Sequence, residues 1–273
     1  MYTRFRALSM VKSCLTSPER AVRLVKKMTI CSHSDQSRIV LVTGANKGIG
    51  LEIARKLGTL RFTVLLGARS PERGNRAAAA LRAEGLTAIA LPLDVTDEES
   101  IHRAAQWIDG EFGRLDVLIN NAGVAYDLDS DGEALPLDLV RATFETNVFG
   151  LIAVTRAMLP LLERSAAPRV VNLSSRRGSI TEAVRRASPQ PEPMAYFASK
   201  AAVNAVTVAF AKQLAARGGK VNAVAPGRCA TDMTGNEGPR SAADGARIAV
   251  AMAMLGDDGP TGAFLSDEGA VAW

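Results

Sequence analysis

Thr43-Gly44-Ala45-Asn46-Lys47-Gly48-Ile49-Gly50 decides the fold of this 273-residue chain. The octapeptide follows an apolar run at residues 39–42 and opens a helical pattern at residues 49–60. Glycine lets a backbone turn sharply and approach a ligand closely, and a helix N-terminus behind it offers free N–H groups and a partial positive charge. The spacing Gly44, Gly48, Gly50 differs from the GxGxxG of the general dinucleotide fingerprint. A tight strand-to-helix loop with no ligand also uses glycines, so the turn takes its meaning from its surroundings.

Those surroundings repeat the same unit. Short apolar runs at 62–66, 87–93, 115–120, 169–173, 220–225 and 263–265 read as strands. Helical patterns separate them at 73–84 (ended by Gly85), from an Asp97 cap to about 112, at 137–162, at 194–216 and at 241–255. The strands are nearly continuous in apolar residues, the mark of a parallel sheet buried on both faces. Right-handed crossovers then give an α/β fold: one doubly wound (Rossmann-type) parallel sheet with helices on both faces. On such sheets ligands bind at the carboxyl ends of the strands. This domain is expected to span residues 38–273.

Residues 1–37 read differently. Arg4, Arg6, Lys12, Arg20, Arg23, Lys26 and Lys27 stand against Glu19 and Asp35, so the whole net charge of +5 lies in this segment and the rest of the chain is neutral in sum. A basic, acid-poor leader reads as a mitochondrial-type targeting peptide or as a start placed ahead of Met10 or Met28; the second reading is favoured. The neutral body implies no basic face and hence no nucleic-acid partner. No apolar run in the sequence approaches the roughly 20 residues of a bilayer span, so no membrane role is expected. Cys14, Cys31 and Cys229 form no disulfide framework, which fits a reducing, cytoplasmic setting. His33 and His102 have no ligand-spaced neighbour, so no histidine-rich metal site is expected.

Several side chains fall at the carboxyl ends of the expected strands. Arg69 follows the second strand, where an NAD site usually carries an acid for the ribose hydroxyls; the segment Gly67-Ala68-Arg69 has none. With Lys47 as a second cation, this end favours NADP. Asp94-Val95 ends the third strand, and Asp94 is either a ligand contact or part of the cap begun at Asp97. Asn120-Asn121-Ala122-Gly123 ends the fourth, with small residues suited to close backbone approach. Tyr196 and Lys200 stand four apart and share a helix face, where a lysine cation would lower the tyrosine pKa. Ser175 closes the fifth strand. Asn147 sits inside the long helix, as a structural hydrogen-bonding residue or as part of a site.

Taken together, Asn147, Ser175, Tyr196 and Lys200 with the 43–50 turn and the Asn120–Gly123 tetrapeptide resemble the signature of the short-chain dehydrogenases/reductases, over about residues 38–266. The resemblance implies an NADP-dependent oxidoreductase. Tyr196 would be the general acid for a carbonyl oxygen, Lys200 would tune it and hold the nicotinamide ribose, Ser175 would orient the substrate, and Asn147 would hold a water that links Lys200 to solvent. It also implies NADP contacts from Gly44, Asn46, Lys47, Gly48, Ile49, Gly50, Arg69, Asp94, Val95, Asn121, Ala122, Gly123, Tyr196 and Lys200. Pro226 and Gly227 would face the nicotinamide, and Thr231 its carboxamide. Within the family the chain looks most like the carbonyl reductase branch, through Asn46-Lys47, Ala68-Arg69, Thr231-Asp232-Met233 and the ending from Gly262 to Trp273. The expected partner is a small carbonyl (aldehyde, ketone or quinone) or alcohol. An alcohol dehydrogenase working oxidatively and a sensor that binds NADP without turnover are the competing functions; a sensor need not keep all four catalytic-type residues. Twenty residues, 176–195, separate Ser175 from Tyr196 and are rich in Arg and Pro, which reads as a surface loop. Members of that branch with an insertion here include monomers, so monomer and homo-oligomer both stay open.

Overall fold

The computed structural model describes residues 37–128, 136–186 and 192–273. The basic leader, apart from Ser37, and the segment 187–191 with Pro189 and Pro191 lie outside the described residues. Beyond the leader, the order of elements follows the expected alternation. β1 (Ile39–Thr43), β2 (Thr63–Ala68), β3 (Ala88–Pro92), β4 (Val117–Asn120), β5 (Arg169–Leu173), β6 (Lys220–Ala225) and β7 (Phe264–Ser266) all run parallel to one another. An eighth strand, β8 (Gly269–Ala270), pairs antiparallel with β7 and was not expected from the sequence. Two residues carry no period, so only the tertiary pairing defines it.

The sheet order is β3-β2-β1-β4-β5-β6-β7-β8. The chain winds outward from β1 in one direction, then returns to place β4 on its other side. That reversal leaves a crevice at the carboxyl ends of β1 and β4.

Helices α1 (Gly48–Thr59), α2 (Pro71–Ala83) and α8 (Ala242–Ala253) cover one face. α3 (Glu98–Phe112), α5 (Gly150–Leu162) and α7 (Met194–Leu214) cover the other. β1 shows why its run is apolar throughout. Val40 and Val42 pack with Ile53, Leu81 and Ile248 on one side, and Ile39 and Leu41 with Ile108, Met158 and Phe210 on the other. A strand with both faces buried has no position for a polar residue. α7 and its last turn (24 residues) are apolar enough to cross a bilayer, but half of that stretch is buried inside the fold. Its composition is that of a core helix.

Two expectations about local structure are corrected. Residues 137–162 do not form one α-helix: α4 (Leu137–Phe144) passes through a π turn (Glu145–Phe149) into α5. The π turn holds the amide of Asn147 inward, at 1% exposure, while Gly150 passes so close to β3's end that a Cβ there would lie 2.6 Å from the carbonyl oxygen of Val95. A regular 3.6-residue turn meets one demand at the expense of the other, and inserting a residue in the turn changes the phase. The segment after Ser175 is not simply a loop either. A 3₁₀ turn (Arg176–Gly178) and α6 (Ile180–Arg185) precede the undescribed residues. Ser179 caps α6 by accepting from Glu182 N at 3.0 Å, and the carbonyl of Trp273 receives Thr181 N at 2.9 Å. The arginines masked a cap-and-helix pattern.

Candidate active site

The loops beyond β1, β4, β5 and β6 meet at one edge of the sheet. Thr43 ends β1, and its Oγ1 accepts the backbone N–H groups of Asn121 (3.0 Å) and Ala122 (2.9 Å). Asn121 Nδ2 in return donates to the carbonyls of Thr43 (2.8 Å) and Gly44 (3.2 Å). Side chains thus bind the glycine turn to the tetrapeptide after β4. Within that turn Gly44 and Gly48 adopt left-handed φ values of 63° and 57°, which side chains other than glycine rarely adopt.

Ser70, Asp97 and Ser241 cap α2, α3 and α8 with their side chains, accepting from the backbone of Arg73, Glu99 and Asp244. α1 has no such cap, and its first turn carries no acid. Its leading N–H groups and positive dipole end therefore face the crevice without a side-chain acceptor. Asn46, Lys47, Ile49 and Gly50 surround that end. Lys47 Nζ binds Asp232 Oδ2 at 2.5 Å and so ties the glycine turn to the loop after β6. That loop carries Pro226 and Gly227, and Thr231 packs beside Gly48.

Arg69 and Asp94 stand just beyond the paired ends of β2 and β3. Arg69 is exposed. The two readings of Asp94 are now separated: Asp97 caps α3, while Asp94 Oδ1 accepts from Thr96 N (3.0 Å) and Thr96 Oγ1 (2.8 Å) in a local turn. Val95 lies between that turn and Gly150.

On the other side of the crevice stands the polar cluster. Ser175 Oγ accepts the Arg177 backbone N–H at 3.2 Å and stands close enough to the Tyr196 hydroxyl to favour its ionisation. Lys200 Nζ lies 5.6 Å from the Tyr196 ring centroid and donates to the carbonyl of Leu173 at 2.8 Å. Asn147 clamps the segment after β4: its Oδ1 accepts Val124 N (2.8 Å), and its Nδ2 donates to Val124 O (2.9 Å) and Ser199 Oγ (3.0 Å). Gly123 completes the wall, since a Cβ there would come within 3.2 Å of Asn147 Oδ1 and 3.5 Å of Lys200 Nζ. Asn147, Ser175, Tyr196, Lys200 and Gly123, scattered over 78 positions of sequence, are thus neighbours in space.

The electrostatics correct one expectation. Lys200 was expected to lower the Tyr196 pKa. In this structure burial raises it, with Ser175 and the charge of Arg177 opposing and that of Asp127 adding. The reason is that both groups are buried together. Burial lowers the Lys200 pKa from 10.5 to about 8, so its own charge is destabilised in the same place. Between these two pH values the unfolded chain binds more protons than the folded one, so stability rises with pH through that window. Lys200→Met removes the buried charge and leaves the Leu173 carbonyl without its donor at every pH. The urea-midpoint stability of Lys200→Met relative to wild type is therefore expected to fall steadily from about pH 8 to about pH 10. A difference that stays constant with pH would show that burial does not lower the Lys200 pKa.

One residue of this site escaped sequence reasoning. The carboxylate of Asp127, 2% exposed, accepts the backbone N–H of Ala195 (2.7 Å) and of Tyr196 (3.3 Å to either oxygen). It supplies the acceptor that the N-cap of α7, Pro193, lacks. The proline at that cap was the available signal, because it left the first turn of a catalytic-type helix without a local side-chain partner.

The family model of the short chain dehydrogenases matches residues 38–242. The chain belongs to that family. Among its curated relatives, short-chain dehydrogenase anuI of Penicillium roqueforti is 39% identical over 231 residues, covering 80% of this chain and 89% of that protein. The NADPH carbonyl reductase 1 of Bos taurus is 35% identical over 283 residues, covering 88% and 100%. Among solved structures, the NADPH-bound carbonyl reductase from chicken fatty liver superposes with a TM-score of 0.76 at 30% identity, covering 87% of this chain and 100% of that one. The family is one of oxidoreductases, and the crevice described above is where its members' fold places ligands.

Proposed function

We propose that this short-chain dehydrogenase reduces a carbonyl group to an alcohol at the expense of NADPH, with Tyr196 as general acid. The observation that carries the reading is the Ser175–Tyr196 hydroxyl pair beside the buried Lys200 amine, on the same sheet edge as an uncapped helix N-terminus. The NADPH-dependent carbonyl reductases among the relatives support it.

The donor set fits the cofactor. Gly44, Asn46, Lys47, Gly48, Ile49 and Gly50 would hold the pyrophosphate against the free N–H groups of α1. Arg69 would bind the 2′-phosphate, and Asp94 and Val95 would bound the adenine. Asn121, Ala122 and Gly123 would line the floor, and Pro226, Gly227 and Thr231 would face the nicotinamide, which supplies the hydride when bound.

The chain's own groups handle the oxygen and its proton. Ser175 donates to the substrate oxygen and orients it. Tyr196 gives its phenolic proton to that oxygen as negative charge develops there. Its raised pKa keeps it protonated, as an acid must be. Lys200 holds the nicotinamide ribose and compensates the phenolate left behind. Asn147, its amide committed to Val124, retains one lone pair on Oδ1 for a water that links Lys200 to solvent. The same groups run the reverse reaction with Tyr196 as base.

Fluorescence titration of the purified protein with NADPH and with NADH tests the cofactor assignment. Submicromolar binding of NADPH and much weaker binding of NADH is the expected result, to be followed by turnover with aldehydes, ketones and quinones. Failure to bind either nucleotide would remove the enzyme reading.

A further inference from the structure

We propose that Asp127 is a positioning residue for hydride transfer: through the backbone of Ala195 and Tyr196 it sets where the Tyr196 hydroxyl stands against the cofactor-facing loop. The inference rests on Tyr196 being the general acid.

Asp127 lies seven residues beyond Asn120, the last residue of β4, on the segment that also carries Asn121, Ala122 and Gly123. Its carboxylate ends on the first turn of α7, one residue before and at Tyr196 itself. The loop that lines the cofactor floor and the first turn of the helix that carries the acid are therefore tied by Asp127, in addition to the Asn147 link between Val124 and Ser199 further along. A carboxylate at a helix N-terminus is stabilised by the free N–H groups and the dipole there. This one is almost fully buried, so its bonds are charge-assisted and little screened. Misplacing a reacting group by about 1 Å costs on the order of a hundredfold in rate, and a helix whose N-cap is Pro193 has no local side chain to prevent that drift.

The carboxylate also acts by charge. Among the described residues, four groups face Tyr196: Ser175 at its hydroxyl, Arg177 from the 3₁₀ turn after β5, Lys200 above the ring, and Asp127 at its own backbone. Asp127 is the acid among them. It opposes ionisation of the phenol, whereas Ser175 and Arg177 favour it. Burial is the main cause that keeps the phenol protonated, and the Asp127 carboxylate adds to it.

The decisive measurement is the tyrosinate absorbance of the purified protein as a function of pH. The chain has three tyrosines, Tyr2, Tyr126 and Tyr196, so the step missing from Tyr196→Phe belongs to Tyr196. Asp127→Asn keeps an acceptor oxygen and removes the charge. The Tyr196 step is expected to move to lower pH in this variant, and the alkaline fall-off of kcat to move with it, while NADPH affinity stays that of wild type. Asp127→Ala, which frees both N–H groups, is expected to lose about tenfold to a hundredfold in kcat with KM for NADPH unchanged. A Tyr196 step that stays at the wild-type pH in Asp127→Asn overturns the proposal even if the variant melts earlier, because a purely structural cap alters melting and not the titration. Wild-type kcat in Asp127→Ala overturns it too. If wild type itself turns over no carbonyl, the proposed function fails, and the position of the Tyr196 step still decides the role of Asp127.

Discussion

Tyr196→Phe is expected to lower kcat by about 10²–10⁴-fold, the usual contribution of a positioned general acid. In activation free energy that is roughly 3–5 kcal/mol. The substitution removes one oxygen and leaves the ring, which is 8% exposed and lies beneath the Lys200 amine. Packing at the site is therefore preserved, and apart from Lys200 on the same helix the proposed nucleotide contacts lie on other elements. NADPH affinity should stay close to wild type. Steady-state kinetics with a carbonyl substrate, combined with NADPH titration of the same preparation, separates the two effects. A variant that binds NADPH and turns over at the wild-type rate would remove Tyr196 from the chemistry.

Arg69→Asp is expected to shift the cofactor preference from NADPH towards NADH. Arg69 is exposed at the end of β2 and is in no ion pair among the described residues, so its replacement should leave the melting temperature unchanged. A hydrogen bond to a charged group contributes about 1.5–3 kcal/mol, so losing the 2′-phosphate contact alone weakens NADPH by roughly tenfold to a hundredfold. An acid in its place repels that phosphate and accepts from the ribose hydroxyls of NADH. The ratio of kcat/KM for NADPH over NADH should fall by about a hundredfold or more. Lys47 would leave some NADPH preference behind, because it belongs to the glycine turn and not to β2. An unchanged ratio would show that Arg69 does not meet the phosphate.

Much of this was legible in local pattern. β5 and β6 occupy the residues read as strands, because two-face burial leaves a continuous apolar run that needs no knowledge of the partner strand. The glycine turn was legible for a similar reason: positive φ and a following helix demand glycine at set places. Ser175, Tyr196 and Lys200 could be named because each lies at a strand end or on the first turns of a helix, where the topology itself brings side chains to one edge.

What stayed hidden depends on partners far away in sequence. The Asp127 clamp joins residues 68 and 69 positions apart, and the Lys47–Asp232 pair joins residues 185 apart. No period or propensity records such contacts. The π turn at Asn147 arises because Val124 and Ser199 claim the amide while Val95 crowds Gly150, and none of these is local. The rise in the Tyr196 pKa likewise follows from burial, which a sequence spacing of four does not convey. The sequence by itself determined the parallel sheet, its order of elements, the glycine turn and the residue types at the strand ends, since those follow from backbone conformation and hydrophobic periodicity within a few residues. Only the tertiary structure decided which charges face one another, which helix end stays uncapped and how the acid is held, because those depend on desolvation and on distances between segments that the chain brings together only when it folds.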